Sequence, residues 1–157
     1  MITTVFLDID GVLTDGAVYV DASGKESKRI LFDDIDAVFE LKRAGIKIGF
    51  LTGEDTDFCK YVHERFSPDF LVAGCKDKLS ACKRIMEKYE LDVNYVSYVG
   101  DSRKDMDLLS YLPLSFAPAD VGREVQESAK VVLKTRRGEG VIKEVVNYIL
   151  SRQKNNL

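Results

Sequence analysis

Two aspartates stand one residue apart, Asp8 and Asp10, at the end of the apolar run Val5-Phe6-Leu7, and Gly11 follows at once. Strand alternation sends both carboxylates to one side and Ile9 to the other. Like charges this close repel, and burying either without a partner is costly, so a cation is called for. Other polar residues occupy matching places: Thr52-Gly53 after the apolar run 46–51, Asp101 after the run 95–99 and Gly100, and Lys78 opening a helical pattern after Gly74. Taken singly these have plain readings: a strand-end Asp is a turn residue, Thr52-Gly53 a loop, Lys78 a solvated charge. Asp105 and Asp107 read alone as helix-start charges. Carboxylates, a hydroxyl, an ammonium and glycines recurring together suit a hard divalent cation, Mg²⁺, with a phosphate.

The fate of that phosphate follows by elimination. There is no GxxxxGK[ST], and no GxGxxG follows a strand. Gly138-Glu139-Gly140 alone is too weak a signal, and the one histidine, His63, has no serine or cysteine motif around it. Asp8 at the strand tip is then the natural nucleophile, because carboxylates attack phosphorus to give aspartyl phosphates. Asp10 is placed to protonate the leaving alkoxide and later to deprotonate water. Gly11 leaves room for backbone beside the phosphate.

The elements that must hold these residues alternate. Residues 2–7 predict a buried strand, and 17–32 a β-hairpin turning over 21–25. Asp33 or Asp34 can cap a helix carrying Ile35, Val38, Phe39 and Leu41 and ended by Gly45. Strand 46–51, helix 55–66, strand 70–73 and helix 77–89 follow. Then come strand 95–99, a short helix 105–111, strand 114–117, helix 121–128, strand 131–133, a last helix about 140–150 and a polar tail 151–157. Continuous apolar strands separated by helices mean a parallel sheet covered on both faces. The expectation is one α/β domain over 1–157, a doubly wound, Rossmann-like parallel sheet with helices on both faces. In such sheets ligands sit beyond the carboxyl ends of the strands, where the polar residues fall here.

Composition narrows the partners. The formal charge of −3 gives no basic excess for nucleic acid. No run nears the roughly 18 apolar residues of a membrane span, and a signal-peptide layout is missing, so the cytoplasm is the expected location. Cys59, Cys75 and Cys82 form no CxxC pair and read as reduced packing residues.

On these residues the chain resembles the haloacid dehalogenase phosphatase superfamily. Its DxDG motif matches Asp8-Ile9-Asp10-Gly11, its strand-end Thr matches Thr52, its lysine Lys78, and its GDxxxD matches Gly100 to Asp105. The hairpin in place of a cap domain, DKL, and Gly138-x-Gly140-x-x-x-Glu144 are similar to the capless sugar-acid phosphatases, which act on octulosonate 8-phosphates and nonulosonate 9-phosphates. The resemblance implies Mg²⁺ held by Asp8, Asp101 and the Asp10 carbonyl, with Asp105 supporting the metal shell. It implies Thr52 and Lys78 on the phosphoryl oxygens. It implies a homotetramer built on the hairpins, with the Gly138–Gly140 segment reaching a neighbouring site.

For the substrate, Gly11, Gly53, Glu54, Asp34 and Arg65 are the candidates. Octulosonate members typically carry Thr-Gly-Arg where this chain has Thr52-Gly53-Glu54, and a glutamate there looks more like the nine-carbon branch. Arg65 suits a substrate carboxylate. It lies about 16 Å from Glu54 if the interval is helical, so both touch one sugar only if Arg65 comes from an adjacent chain.

The expected activity is Mg²⁺-dependent hydrolysis of a phosphorylated keto sugar acid. The alternatives are a similar phosphatase for a nucleotide or simple sugar phosphate, a receiver-like phosphoacceptor, and an inactive oligomeric scaffold.

Overall fold

The structure is a computed structural model and describes residues 1–155. Six parallel strands form one sheet: β1 (Thr4–Leu7), β4 (Lys47–Leu51), β5 (Phe70–Val72), β6 (Val96–Val99), β7 (Leu114–Ala117) and β8 (Val131–Val132). Their order is β5-β4-β1-β6-β7-β8. Chain direction across the sheet therefore reverses beside β1, which opens a crevice at the tips of β1, β4 and β6.

Side-chain alternation feeds two cores. Val5, Leu7, Ile48, Phe50 and Val99 pack under α1 (Phe32–Arg43), α2 (Asp57–Phe66) and α6 (Val141–Asn155). Phe6, Leu51, Val96 and Tyr98 pack under α3 (Lys78–Lys88), α4 (Met106–Tyr111) and α5 (Arg123–Ser128). Asp8 continues the register of Phe6, so it leans toward the face from which Lys78 and Asp105 arrive.

Between β1 and α1 stand only a wide turn and a small antiparallel hairpin, β2 (Tyr19–Val20) with β3 (Glu26–Ser27), paired Tyr19 to Ser27 and Val20 to Glu26. The hairpin is far shorter than the run 17–32 suggests. Asp21 closes its tip by accepting the backbone N–H groups of Ser23 and Lys25. The wide turn, Ile9–Leu13, follows directly on Asp8 and has Gly11 at φ +87°. A wide, non-helical turn immediately after β1 was not foreseen.

Several boundaries differ from expectation. α1 begins at Phe32 after Leu31, whose side chain makes no cap, so neither Asp33 nor Asp34 caps it. Helix α3 is capped by Asp77, which accepts the Ser80 N–H at 2.9 Å. Residues 151–155 are not a polar tail but the last turn of α6, while 156 and 157 lie outside the described residues. Buried Ile142, Val145, Val146 and Ile149 pin α6 to the core and carry it past residue 150. The three cysteines are buried and free, and His63 is exposed. Among the described residues no helix is long and apolar enough to cross a membrane.

Candidate active site

The strand tips and the start of α3 meet in a cleft of about 260 Å³ lined by Asp8, Asp10, Thr52, Gly53, Glu54, Lys78 and Asp101. Gly16, Ser102 and Lys104 complete its wall and were not among the sequence candidates.

Lys78 is the electrostatic hub. Its ammonium lies 2.7 Å from Asp105 Oδ1 and 3.1 Å from Asp8 Oδ2, with side-chain exposures of 4% for Lys78, 0% for Asp105 and 8% for Asp8. Burial works against that charge, but Asp8 and Asp105 outweigh it and hold the Lys78 pKa up. Asp105 is likewise penalised by burial, yet Lys78 and its hydrogen bonds keep its pKa below the usual carboxylate range.

Both Asp105 oxygens are occupied. Oδ1 accepts from Lys78 and from Tyr98 Oη at 2.5 Å; Oδ2 accepts from the backbone N–H of Asp101 at 2.9 Å and of Ser102 at 3.1 Å. Asp105 thus shapes the Gly100–Ser102 turn. Gly100 has to be glycine, since a Cβ there would lie 2.6 Å from Asp105 Cβ.

Asp8 and Asp101 are compensated less fully than Asp105. Asp8 is pushed well above the ordinary range by burial and by Asp105, more than Lys78 offsets. Asp101 is pushed up to about 6 by burial and then by Asp105. One oxygen each of Asp8, Asp101 and Asp105 falls within 4.8 Å of the others. Three carboxylates meet one buried ammonium, and the nearest further cation, Arg137, is shared between Asp101 and Asp120, so negative charge is in excess. An all-oxygen donor set with excess negative charge fits a hard divalent cation such as Mg²⁺. Gly11 is part of the same arrangement: a Cβ there would sit 1.8 Å from Asp101 Oδ2, so only glycine lets that carboxylate approach.

Thr52 is 1% exposed, and its Oγ1 accepts the Glu54 N–H at 3.3 Å, which leaves its hydroxyl proton for the cleft. Asp10 is held by a partner the sequence did not suggest, Lys28, at 2.7 Å. Arg137 is another: its Nη1 lies 3.5 Å from Asp101 Oδ2 while Asp120 Oδ2 holds its Nε at 3.2 Å.

Three substrate candidates do not line this cleft: Gly11, which lies behind Asp101, and Asp34 and Arg65. Asp34 is 1% exposed and accepts the Lys143 N–H at 3.0 Å, so its carboxylate serves the first turn of α6. Arg65 sits exposed near the end of α2, away from its own chain's cleft. The Gly138 segment, expected to reach a neighbour, packs within this chain: a Cβ on Gly138 would meet Asp15, and Arg29 Nη1 donates to the Gly138 carbonyl at 2.9 Å.

The chain is similar to proteins of known family. The family model for haloacid dehalogenase-like hydrolases matches residues 70–145. The 3-deoxy-D-manno-octulosonate 8-phosphate phosphatase of Haemophilus influenzae is 30% identical over 149 residues, spanning 95% of this chain and 83% of that one. The cobalt-bound form of the Haemophilus influenzae deoxy-D-mannose-octulosonate 8-phosphate phosphatase superposes with a TM-score of 0.91 at 29% identity, covering 98% of this chain and 90% of that one. A Moraxella catarrhalis 3-deoxy-D-manno-octulosonate 8-phosphate phosphatase in complex with magnesium, phosphate and the sugar shares the fold at TM-score 0.92 and 23% identity, over 98% and 88% of the two chains. With an acidic crevice at the β1 and β6 tips and only a hairpin where other folds insert a cap, the chain belongs to the haloacid dehalogenase-like hydrolases as a capless phosphatase of the sugar-acid group.

Proposed function

We propose that this phosphatase is Mg²⁺-dependent and that its substrate is an eight- or nine-carbon keto sugar acid carrying a terminal phosphate. The observation that carries this reading is the meeting of Asp8, Asp101 and Lys78 at the tips of adjacent strands, beside Thr52 and Asp10.

Asp8 and Asp101, with the Asp10 carbonyl, would hold the cation, and Asp105 supports them through Lys78 and the Asp101 N–H. When bound, the cation offsets the repulsion between nucleophile and phosphate and stabilises charge as it develops on the phosphoryl oxygens. Thr52 and Lys78 bind those oxygens from the other side. An Asp8 carboxylate oxygen attacks phosphorus, the bond to the sugar oxygen breaks, and Asp10 delivers a proton to that oxygen. Asp10 then takes a proton from water as the water oxygen attacks phosphorus, which frees Asp8 and releases inorganic phosphate. Phosphate monoesters are among the slowest esters to hydrolyse unaided, so the site must supply much charge stabilisation.

Gly53 and Glu54 face the leaving group within the cleft. Arg65 reaches the substrate carboxylate only from a second copy of the chain. The exposed Val18, Tyr19 and Val20 of the hairpin support assembly into a homotetramer through that element.

The test is a phosphatase screen of eight- and nine-carbon keto sugar acid phosphates beside nucleotides and simple sugar phosphates, with calorimetric titration of Mg²⁺. Asp8→Asn abolishes turnover and leaves the circular dichroism spectrum unchanged. Retained turnover overturns the nucleophile, and a preference for nucleotides overturns the substrate class.

A further inference from the structure

We propose that Lys28, directly after the return strand of the hairpin, is a positioning residue that fixes the Asp10 carboxyl group for proton transfer to the leaving group. The inference rests on the phosphatase mechanism above and adds to it a residue from outside the sheet.

The geometry is specific. Lys28 Nζ contacts Asp10 Oδ1 at 2.7 Å across 18 residues of chain, and only 9% of the Lys28 side chain is exposed. The same ammonium lies 5.0 Å from the centre of the Phe58 ring at the start of α2, a second attraction holding it in place. Its neighbours pin the backbone. Ile30 pairs with Thr14 as an isolated antiparallel bridge, and Arg29 is tied to the Gly138 carbonyl. With Ser27 paired to Tyr19 before it and Arg29 and Ile30 held after it, Lys28 is delivered to Asp10 from an anchored segment.

An ion pair with Lys28 buried and Asp10 32% exposed is weak ground for stability, because desolvation of one end and water at the other offset much of the attraction. Its effect is instead on placement. Oδ1 is held by Lys28, and among the described residues Oδ2 has no hydrogen-bond partner, so one oxygen is anchored and the other is left for the leaving oxygen and the water. Misplacing a proton donor by about 1 Å is enough to cost roughly a hundredfold in rate.

The consequence depends on the leaving group. A sugar alkoxide needs a proton as it departs; 4-nitrophenolate departs without one. kcat/KM reports only steps up to release of the leaving group, whereas kcat also contains the hydrolysis common to both esters. Lys28→Met keeps the apolar stem against Phe58 and removes the ammonium. It is expected to lower kcat/KM at least about tenfold for a primary-alkyl phosphate that the unaltered enzyme turns over, with less than a threefold change for 4-nitrophenyl phosphate. Lys28→Arg recovers most of the alkyl activity. In an Asp10→Asn background Lys28→Met has no further effect, because the two act through one carboxylate.

An equal fall for both esters assigns Lys28 to hairpin structure and overturns the proposal, as does no change for either. Additive losses in the double variant overturn it too. Absence of any phosphatase activity in the unaltered protein is a different result, which removes the mechanism itself.

Discussion

Lys78→Met isolates the electrostatics on which the site depends. The ammonium pairs with two carboxylates at 2.7 and 3.1 Å, and none of the three side chains is more than 8% exposed. Removing one partner of a buried pair leaves uncompensated charge and costs about 3–5 kcal/mol, a large part of the 5–15 kcal/mol that holds a typical domain together. The sign of the pH dependence follows from Asp105. Its folded pKa is depressed, so its contribution to stability is present above the unfolded value near 3.9 and is lost only as pH falls through the lower folded value. Without Lys78, burial and the nearby Asp8 and Asp101 charges drive Asp105 the other way. The native protein then binds a proton that the unfolded chain does not, and stability rises as pH falls. One such proton is worth about 1.4 kcal/mol per pH unit. Urea unfolding of the metal-free protein in EDTA is expected to show a deficit of about 3–5 kcal/mol at pH 8 that shrinks by about 2–3 kcal/mol at pH 6. A variant unfolded at pH 8 that refolds at pH 6 gives the same answer. A deficit under about 1 kcal/mol, or one equal at both pH values, refutes the account of Lys78 as the hub.

Gly11→Ala places a Cβ on the Asp101 carboxylate at a φ of +87°, so Mg²⁺ affinity measured calorimetrically is expected to fall at least about tenfold while the fold persists; unchanged affinity removes Asp101 from the ligand set. Burial raises the Asp34 pKa to about 6 from 3.8, so the group withdraws stability as pH rises from about 4 to 6. Asp34→Asn keeps an acceptor for the Lys143 N–H, removes that slope, and adds up to about 3 kcal/mol at pH 8, with kcat/KM unchanged; a loss of activity would return Asp34 to the substrate. Arg65→Ala is expected to lower kcat/KM for a sugar acid phosphate and to spare 4-nitrophenyl phosphate, which has no carboxylate to recognise. Equal kinetics on both removes the adjacent-chain role.

The chemistry was legible where it depends on local order. Asp8, Thr52 and Asp101 each follow an apolar strand, and period-2 alternation together with the crevice rule is enough to bring them to one end of a parallel sheet. Asp34 misled for the converse reason. A charge beside a helix start reads as a cap or a ligand, and nothing in positions 31–35 announces that a backbone N–H 109 residues away will claim it. The end of α6 was hidden in the same way, since residues 151–155 are polar and are carried as helix by the buried turns before them.

By itself the sequence determined the alternating α/β pattern, the Asp8-Ile9-Asp10-Gly11 cluster at the end of the first strand, and the need for a cation, because those follow from residue type and short spacing. Only the tertiary structure decided which charges meet. Lys28 on Asp10, Tyr98 on Asp105 and Arg137 on Asp101 and Asp120 are pairings fixed by how helices and loops pack on the sheet. Buried electrostatics depend on separation in space and on exclusion of water, and neither quantity is written in the order of residues.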